Sequence, residues 1–223
     1  MGNYSISTPT SHVAELQRTF DGIPDDPYLE GGYRGRTQSR FERRDGVITR
    51  MDPVDLYQSS EVNKLENYGG IQRTYPELPA GIENSQAFIE LIEEWFSGFD
   101  LGDATFSVHQ IRTRSGGDPV PEGAHRDGYQ FVGIYVVARE NIPDDSGLST
   151  VWDASGQVVF EDRLLAEGEL LSFDDREFVH DVTPVADALA EGPGYRDVMI
   201  LTFPDHGYIQ EHGEIPVDGE VKR

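Results

Sequence analysis

Apolar residues recur at helical spacing at only one clear place in the chain. Phe88, Leu91, Ile92, Trp95 and Phe96 fall on one face of residues 85–98, Glu90, Glu93 and Glu94 fill the other, and Gly98 follows as a stop. These aromatics read as core contacts. A shorter helix is predicted near Ser11–Phe20, and Asp52-Pro53 before Val54-Asp55-Leu56 reads as a capped helix start with proline at the first helical position. From residue 104 onward the period drops to two. Thr105–Arg112, Tyr129–Ala138, Leu148–Trp152, Gln157–Phe160, Glu169–Phe173, Phe178–Val182 and Asp197–Phe203 read as strands, and Asp153-Ala154-Ser155-Gly156 as a hairpin turn. Residues 1–83 look mixed and turn-rich, with an Arg-rich stretch from Gly32 to Phe41.

This order predicts a mainly β protein with flanking helices: a double-stranded β-helix, the cupin-like jelly roll that can hold a small ligand inside. A β-sandwich of another topology is the alternative. No repeat or biased linker divides the chain. It is expected to be one domain over 1–223, with helical and turn-rich support over 1–103, a jelly-roll core over 104–205 and a C-terminal tail over 206–223.

Charge and composition narrow the chemistry. Asp and Glu number 41 against 18 Lys and Arg, a formal charge of −23, and the lysines are only Lys64 and Lys222. Such a charge repels phosphate backbones and anionic lipid, so nucleic acid and membranes are poor partners. A small molecule is the expected one. With no cysteine, disulfides, zinc–thiolate sites, iron–sulfur clusters and cysteine nucleophiles are excluded, so any metal must rest on His, Asp, Glu or water. The first twenty residues lack a signal-peptide pattern, and no stretch has the ~18 apolar residues of a membrane span. A cytoplasmic location is expected.

Six histidines are present: His12, His109, His125, His180, His206 and His212. His125 and Asp127 lie two apart before the longest apolar strand, where alternate residues of an extended chain point to one side. His180 follows downstream in Phe178-Val179-His180-Asp181-Val182. Two histidines and one carboxylate on one face leave adjacent positions open, as in non-haem Fe(II) oxygenases. A His-x-Asp pair alone is weak evidence in so acidic a chain. His212-Gly213-Glu214 is a rival pair, but too little sequence follows it to supply a distal ligand. Arg196, at the head of Val198-Met199-Ile200-Leu201, could fork a carboxylate, or equally cap a surface strand.

The chain resembles the bacterial 2-oxoglutarate/Fe(II) dioxygenases that include free L-isoleucine hydroxylases. The resemblance rests on Pro121-Glu122-Gly123-x-His125-Arg126-Asp127-Gly128, Arg139-Glu140-Asn141-Ile142, Asp174-Asp175 before His180, Val182-Thr183-Pro184, and Arg196-Asp197-Val198 with Leu201-Thr202-Phe203. Upstream, Tyr33-Arg34-x-Arg36 with Arg40-Phe41, and Gly69-Gly70-Ile71-x-Arg73, continue it, so that it spans roughly residues 30–205. It implies Fe(II) on His125, Asp127 and His180, 2-oxoglutarate anchored by Arg196, O₂ as oxidant, and a free L-amino acid with an aliphatic or uncharged side chain as substrate. Halogenating relatives lack the carboxylate ligand, so Asp127 implies hydroxylation.

The chain departs from the family pattern at Asp144-Asp145-Ser146-Gly147-Leu148-Ser149 and in the long acidic Pro184–Gly194 loop. Both are expected near the substrate mouth. Tyr129, Phe131, Gln110, Arg112 and Trp152 are candidate substrate contacts, with His109 beside them, although core or rim is the plainer reading of each. Arg34, Arg36 and Arg40 could meet a substrate carboxylate; at least two are expected to pair with acidic neighbours instead. Two other classes compete: a cupin-type metalloenzyme that does not use 2-oxoglutarate, and a non-catalytic jelly-roll binding protein with merely buried histidines.

Overall fold

The computed structural model describes residues 4–205 except 61 and 67. His206, the His212-Gly213-Glu214 pair and the rest of the expected 206–223 tail lie outside the described residues. The strands are β1 (Tyr4–Ser7), β2 (Arg34–Arg44), β3 (Val47–Arg50), β4 (Leu56–Tyr57), β5 (Gln72–Arg73), β6 (Ala104–Arg114), β7 (Phe131–Glu140), β8 (Ser149–Asp153), β9 (Val158–Arg163), β10 (Leu170–Asp174), β11 (Phe178–Val182) and β12 (Tyr195–Phe203). The helices are α1 (Val13–Gln17), continued by a 3₁₀ turn to Phe20, and α2 (Gln86–Gly98).

Seven strands form the major sheet in the order β1-β10-β7-β12-β6-β2-β3, and β11-β8-β9 form the minor one. All pairs in both are antiparallel. This is the double-stranded β-helix that the strand order predicts. A bridge between His125 and His180, closed by reciprocal backbone hydrogen bonds of 3.0 Å, ties the loop before β7 to the minor sheet.

Alternation gives the major sheet two different faces. On the outer face Phe41, Phe106, Val108, Tyr135, Val137, Met199 and Leu201 pack against Phe88, Leu91, Ile92, Trp95 and Phe96 of α2. Each such side chain contributes about 1.5–3 kcal/mol on burial. The Ser85 side chain caps α2 by accepting from the Phe88 N–H at 3.3 Å. The inner face carries Arg34 and Arg36 from β2, His109, Ile111 and Thr113 from β6, Ile134 from β7, and Arg196, Val198, Ile200 and Thr202 from β12. These residues line a cavity.

Two local expectations are corrected. No helix starts at Asp52-Pro53; residues 51–55 are irregular, and Leu56–Tyr57 pairs with Gln72–Arg73 instead. The Met51 N–H donates to the Arg40 carbonyl, extending the β2 hairpin up to the proline, and no apolar stripe follows Leu56 to give a helix a buried face. The Arg-rich stretch is not a turn region either. It is β2, paired along its length with β6.

Candidate metal and cosubstrate site

His125, Asp127 and His180 meet at the cavity wall with their donor atoms within 4.8 Å of one another. His125 Nε2 lies 3.4 Å from Asp127 Oδ1, and His180 Nε2 lies 3.6 Å from Oδ2. Neighbouring donors around an ion held at about 2.1 Å stand about 3 Å apart, so little movement would close the set on a metal. His125 Nδ1 lies 3.0 Å from the Gly123 carbonyl and can donate to it, so that in the neutral ring Nε2 is the nitrogen left to bind a metal. His180 comes from β11, whose partner β8 places Val151 opposite it.

Asp127 is fixed through its backbone. The buried Asp175 carboxylate accepts the N–H groups of Asp127, Gly128 and Tyr129 at 3.1, 2.8 and 3.1 Å. The Asp127 carbonyl accepts from Gln58 Nε2 at 3.1 Å. Gly128 has a φ of 86°, a left-handed turn that costs glycine nothing. Residues 128–130 form an irregular bend ahead of β7, so the alternation that holds from Asp127 to Tyr129 does not continue into the strand. Tyr129 lines the cavity beside Asp127, whereas Phe131 falls on the outer face and stacks on Phe99 at 4.1 Å between ring centroids.

The charges are set by burial and by each other. Burial works against a protonated His125, but its hydrogen bond to Asp127 and that residue's charge outweigh it and push its pKa up to about 9. Burial and the neighbouring His125 push His180 down to about 4 despite Asp127. For Asp127, burial is outweighed by its histidine neighbours, which hold the carboxyl well below its usual range. Burial and the Asp127 charge push Asp175 up to about 7 against the pull of its three N–H donors.

Arg196 lines the same cavity, and its Nε and Nη2 are buried with no hydrogen-bond partner among the described residues. Burial, and then Arg139, lower its pKa to about 10. The 143–147 turn packs against this arginine rather than the substrate mouth. Arg139 Nη2 donates to the carbonyls of Pro143 and Ser146 at 3.0 and 2.7 Å. A Cβ on Gly147 would stand 2.9 Å from Arg196 Cδ, at a φ of +62°. Glycine lets the turn close over the arginine stem.

Four expected substrate contacts do not line the cavity. Phe131 packs under α2. Gln110 points to the outer face, where its Nε2 donates to Thr19 Oγ1 at 2.6 Å and its Oε1 accepts from Thr37 at 2.9 Å. Arg112 is forked on Asp197 at 2.7 and 2.6 Å. Trp152 alternates with Val151, which faces the interior beside His180, and points the other way. Tyr129 and His109 do line the cavity, joined by Gln58, Asn63, Tyr68 and Glu122, which the sequence reading missed. Gln58, Asn63 and Tyr68 lie on the irregular segment between β3 and α2, where no periodicity marks an inward face. The Pro184–Gly194 loop is not among the lining residues. It is tied down elsewhere, through Val185 to Gly117 and through Ala190 to the Asn141 side chain.

An antiparallel double-stranded β-helix with a His-Asp-His cluster and a buried arginine in one cavity fits the architecture of a non-haem oxygenase. The comparisons agree. Residues 17–202 match the model of the 2OG-Fe dioxygenase family. The chain is 25% identical over 204 residues to the 3(1)-hydroxy-L-isoleucine 4-dioxygenase of Pantoea ananatis (strain AJ13355), covering 86% of this chain and 80% of that one. A bsmA homologue from Methylobium petroleophilum PM1 superposes with a TM-score of 0.77 at 24% identity, over 93% of this chain and 90% of that one. IDO from Bacillus thuringiensis gives 0.71 at 14% identity, over 90% and 93%.

The chain belongs to the 2OG-Fe dioxygenase family. It is a 2-oxoglutarate-dependent non-haem iron dioxygenase, with Fe(II), 2-oxoglutarate and O₂ as the family's cofactor, cosubstrate and oxidant.

Proposed function

We propose that this enzyme hydroxylates a free L-amino acid with an aliphatic or uncharged side chain, releasing succinate and CO₂. In this reading His125, Asp127 and His180 hold the iron, and Arg196 forks the far carboxylate of 2-oxoglutarate. The observation that carries it is the pairing of that cluster with an uncompensated, buried Arg196 in one cavity. A buried guanidinium without a partner is costly, and a dicarboxylate reaching in from the metal relieves it. The similarity to an enzyme named for a hydroxylated isoleucine supports an amino acid as substrate.

Bound iron with 2-oxoglutarate and O₂ would supply the oxidising power to hydroxylate an unactivated carbon. The chain's own residues bind and orient. Asp175 and Gln58 fix the backbone of Asp127, and Gly123 sets the tautomer of His125. Ile111, Ile134, Val182, Val198 and Ile200 offer an apolar wall to an aliphatic side chain. Among the described residues, no helix is long and apolar enough to cross a membrane; a small-molecule substrate and a cytoplasmic location complete the proposal.

The test is to incubate the enzyme with Fe(II), ascorbate, 2-oxoglutarate and each of the free amino acids, and look for a mass gain of one oxygen. At least one uncharged aliphatic amino acid should gain it, with matching succinate. If none is oxidised above the uncoupled background while a peptide or carrier-tethered residue is, the free-substrate reading is wrong.

A second expectation concerns Asp175. An asparagine there offers one acceptor oxygen where the carboxylate offers two, so at least one of the three N–H bonds around Asp127 weakens. Asp175→Asn should lower Fe(II) affinity about 10- to 100-fold, the usual effect of losing an outer partner of a ligand. Equilibrium binding of Fe(II) under anaerobic conditions measures this, and wild-type affinity would show that Asp175 does not position the ligand.

A further inference from the structure

The arginines on the inner face of β2 look alike in sequence, but the structure separates them. Arg34 is neutralised: its Nε donates to Asp26 Oδ2 at 3.0 Å, and its Nη2 lies equally close to the same oxygen. Arg40 is paired with Asp205 through its Nε at 2.6 Å. Arg36, between them, meets no carboxylate among the described residues. Its Nη1 donates to the Tyr68 hydroxyl at 2.8 Å, and its Nη2 lies 3.3 Å from His109 Nδ1. Its Nε is buried with no hydrogen-bond partner among the described residues. Burial and the Arg36 charge keep His109 neutral, so this imidazole accepts and does not compensate the guanidinium.

Arg73 deepens the imbalance. It is fully buried, stacks on the Tyr68 ring at 3.8 Å, and leaves its Nε and Nη1 without partners among the described residues. The wall built by Arg34, Arg36 and Arg73 therefore carries three guanidiniums against the one carboxylate of Asp26. Of these, Arg34 and Arg36 line the cavity, and among the described residues Arg36 is the one of the two that lacks a counter-charge.

The register relates this wall to Arg196. Arg196 pairs with Thr113 of β6, and Thr113 pairs with Arg34 of β2. Arg36 therefore stands two strands from Arg196, about 10 Å across the sheet, and two residues along it. Two small molecules must share the cavity, 2-oxoglutarate and the prime substrate. Two separated guanidiniums without counter-charge provide for a carboxylate on each.

We propose that Arg36 binds the α-carboxylate of the amino-acid substrate, with Tyr68 and His109 holding the guanidinium in place and Arg73 adding positive potential behind them. This rests on the amino-acid reading above and supplies the contact that selects for a free carboxyl group.

The experiment uses full-length protein loaded with Zn(II), which supports no turnover, and 2-oxoglutarate. Binding of uncharged L-amino acids and of their methyl esters is compared by ligand-observed NMR. Wild type should favour the acids over the esters by about 10- to 100-fold, the usual worth of a charge-assisted pair. Arg36→Met should abolish that preference and leave 2-oxoglutarate binding unchanged. Arg36→Gln, which keeps a donor for Tyr68, is measured alongside in case the methionine variant fails to fold, and should lose the preference as well. A merely structural arginine would weaken acid and ester alike, because both share the side-chain pocket. Acid-over-ester preference retained in a folded variant overturns the role of Arg36 and leaves the amino-acid reading standing. If wild type binds none of the acids, both fall.

Discussion

Replacing Asp127 by alanine is expected to abolish hydroxylation while leaving the fold intact. The Asp127 carboxylate lies between the two imidazoles, 3.4 and 3.6 Å from their Nε2 atoms, and supplies the cluster's only negative charge. Loss of an outer partner typically costs about 10–100-fold in metal affinity, so loss of a ligand should cost more than about 100-fold. The contacts that shape the loop are made by the Asp127 backbone, to Asp175 and Gln58, and survive the substitution. The charge that holds His125 near 9 also disappears, so this histidine shifts toward neutrality and proton competition does not explain the lost metal. Anaerobic Fe(II) binding and a thermal melt check both halves of the prediction. Wild-type turnover with normal iron content would sink the ligand assignment.

Arg196→Lys should raise the requirement for 2-oxoglutarate far more than the requirement for the prime substrate. Lysine keeps the charge but loses the planar fork, a loss of about 1–3 kcal/mol, or roughly 5- to 150-fold. The Arg196 stem is also packed under Gly147, so a lysine would follow the same path with a point charge at its end. Titrating 2-oxoglutarate at saturating substrate, and the reverse, separates the two effects. Equal weakening toward both would make Arg196 structural. Arg112 could not take its place, because it is forked on Asp197 on the other face of the sheet.

The contrast between Arg112 and Arg196 shows what the sequence could and could not convey. The outer face was legible: α2 and strands β6 to β12 carry apolar residues at regular periods, and each appears close to its expected place. The His125, Asp127 and His180 cluster was legible mainly because the resemblance keeps its order along the chain, since His125 and Asp127 stand in the loop before β7 and not on a strand. The strand β2 was not. Its inner positions are Arg34, Arg36, Gln38 and Arg40, so the alternation is present with charged groups where a core would show apolar ones. A polar cavity wall thus imitates a loop.

The substrate contacts failed for a related reason. Extending the parity of Asp127 into β7 would send Phe131 inward, but the irregular bend over 128–130 resets it after Tyr129, the last residue to follow Asp127. Gln110 and Arg112 lie on the right strand with the wrong parity, next to His109 and Ile111, which face the cavity. Arg73, Tyr68 and Gln58 come from an irregular segment, and only three-dimensional folding brings them to the wall.

The most direct test of the account is an anaerobic crystal structure of the Fe(II) and 2-oxoglutarate complex. One metal is expected on His125 Nε2, Asp127 and His180 Nε2, with the far carboxylate of 2-oxoglutarate on the guanidinium of Arg196. A metal held by any other set of residues, or a cosubstrate carboxylate that leaves Arg196 unpaired, would contradict it.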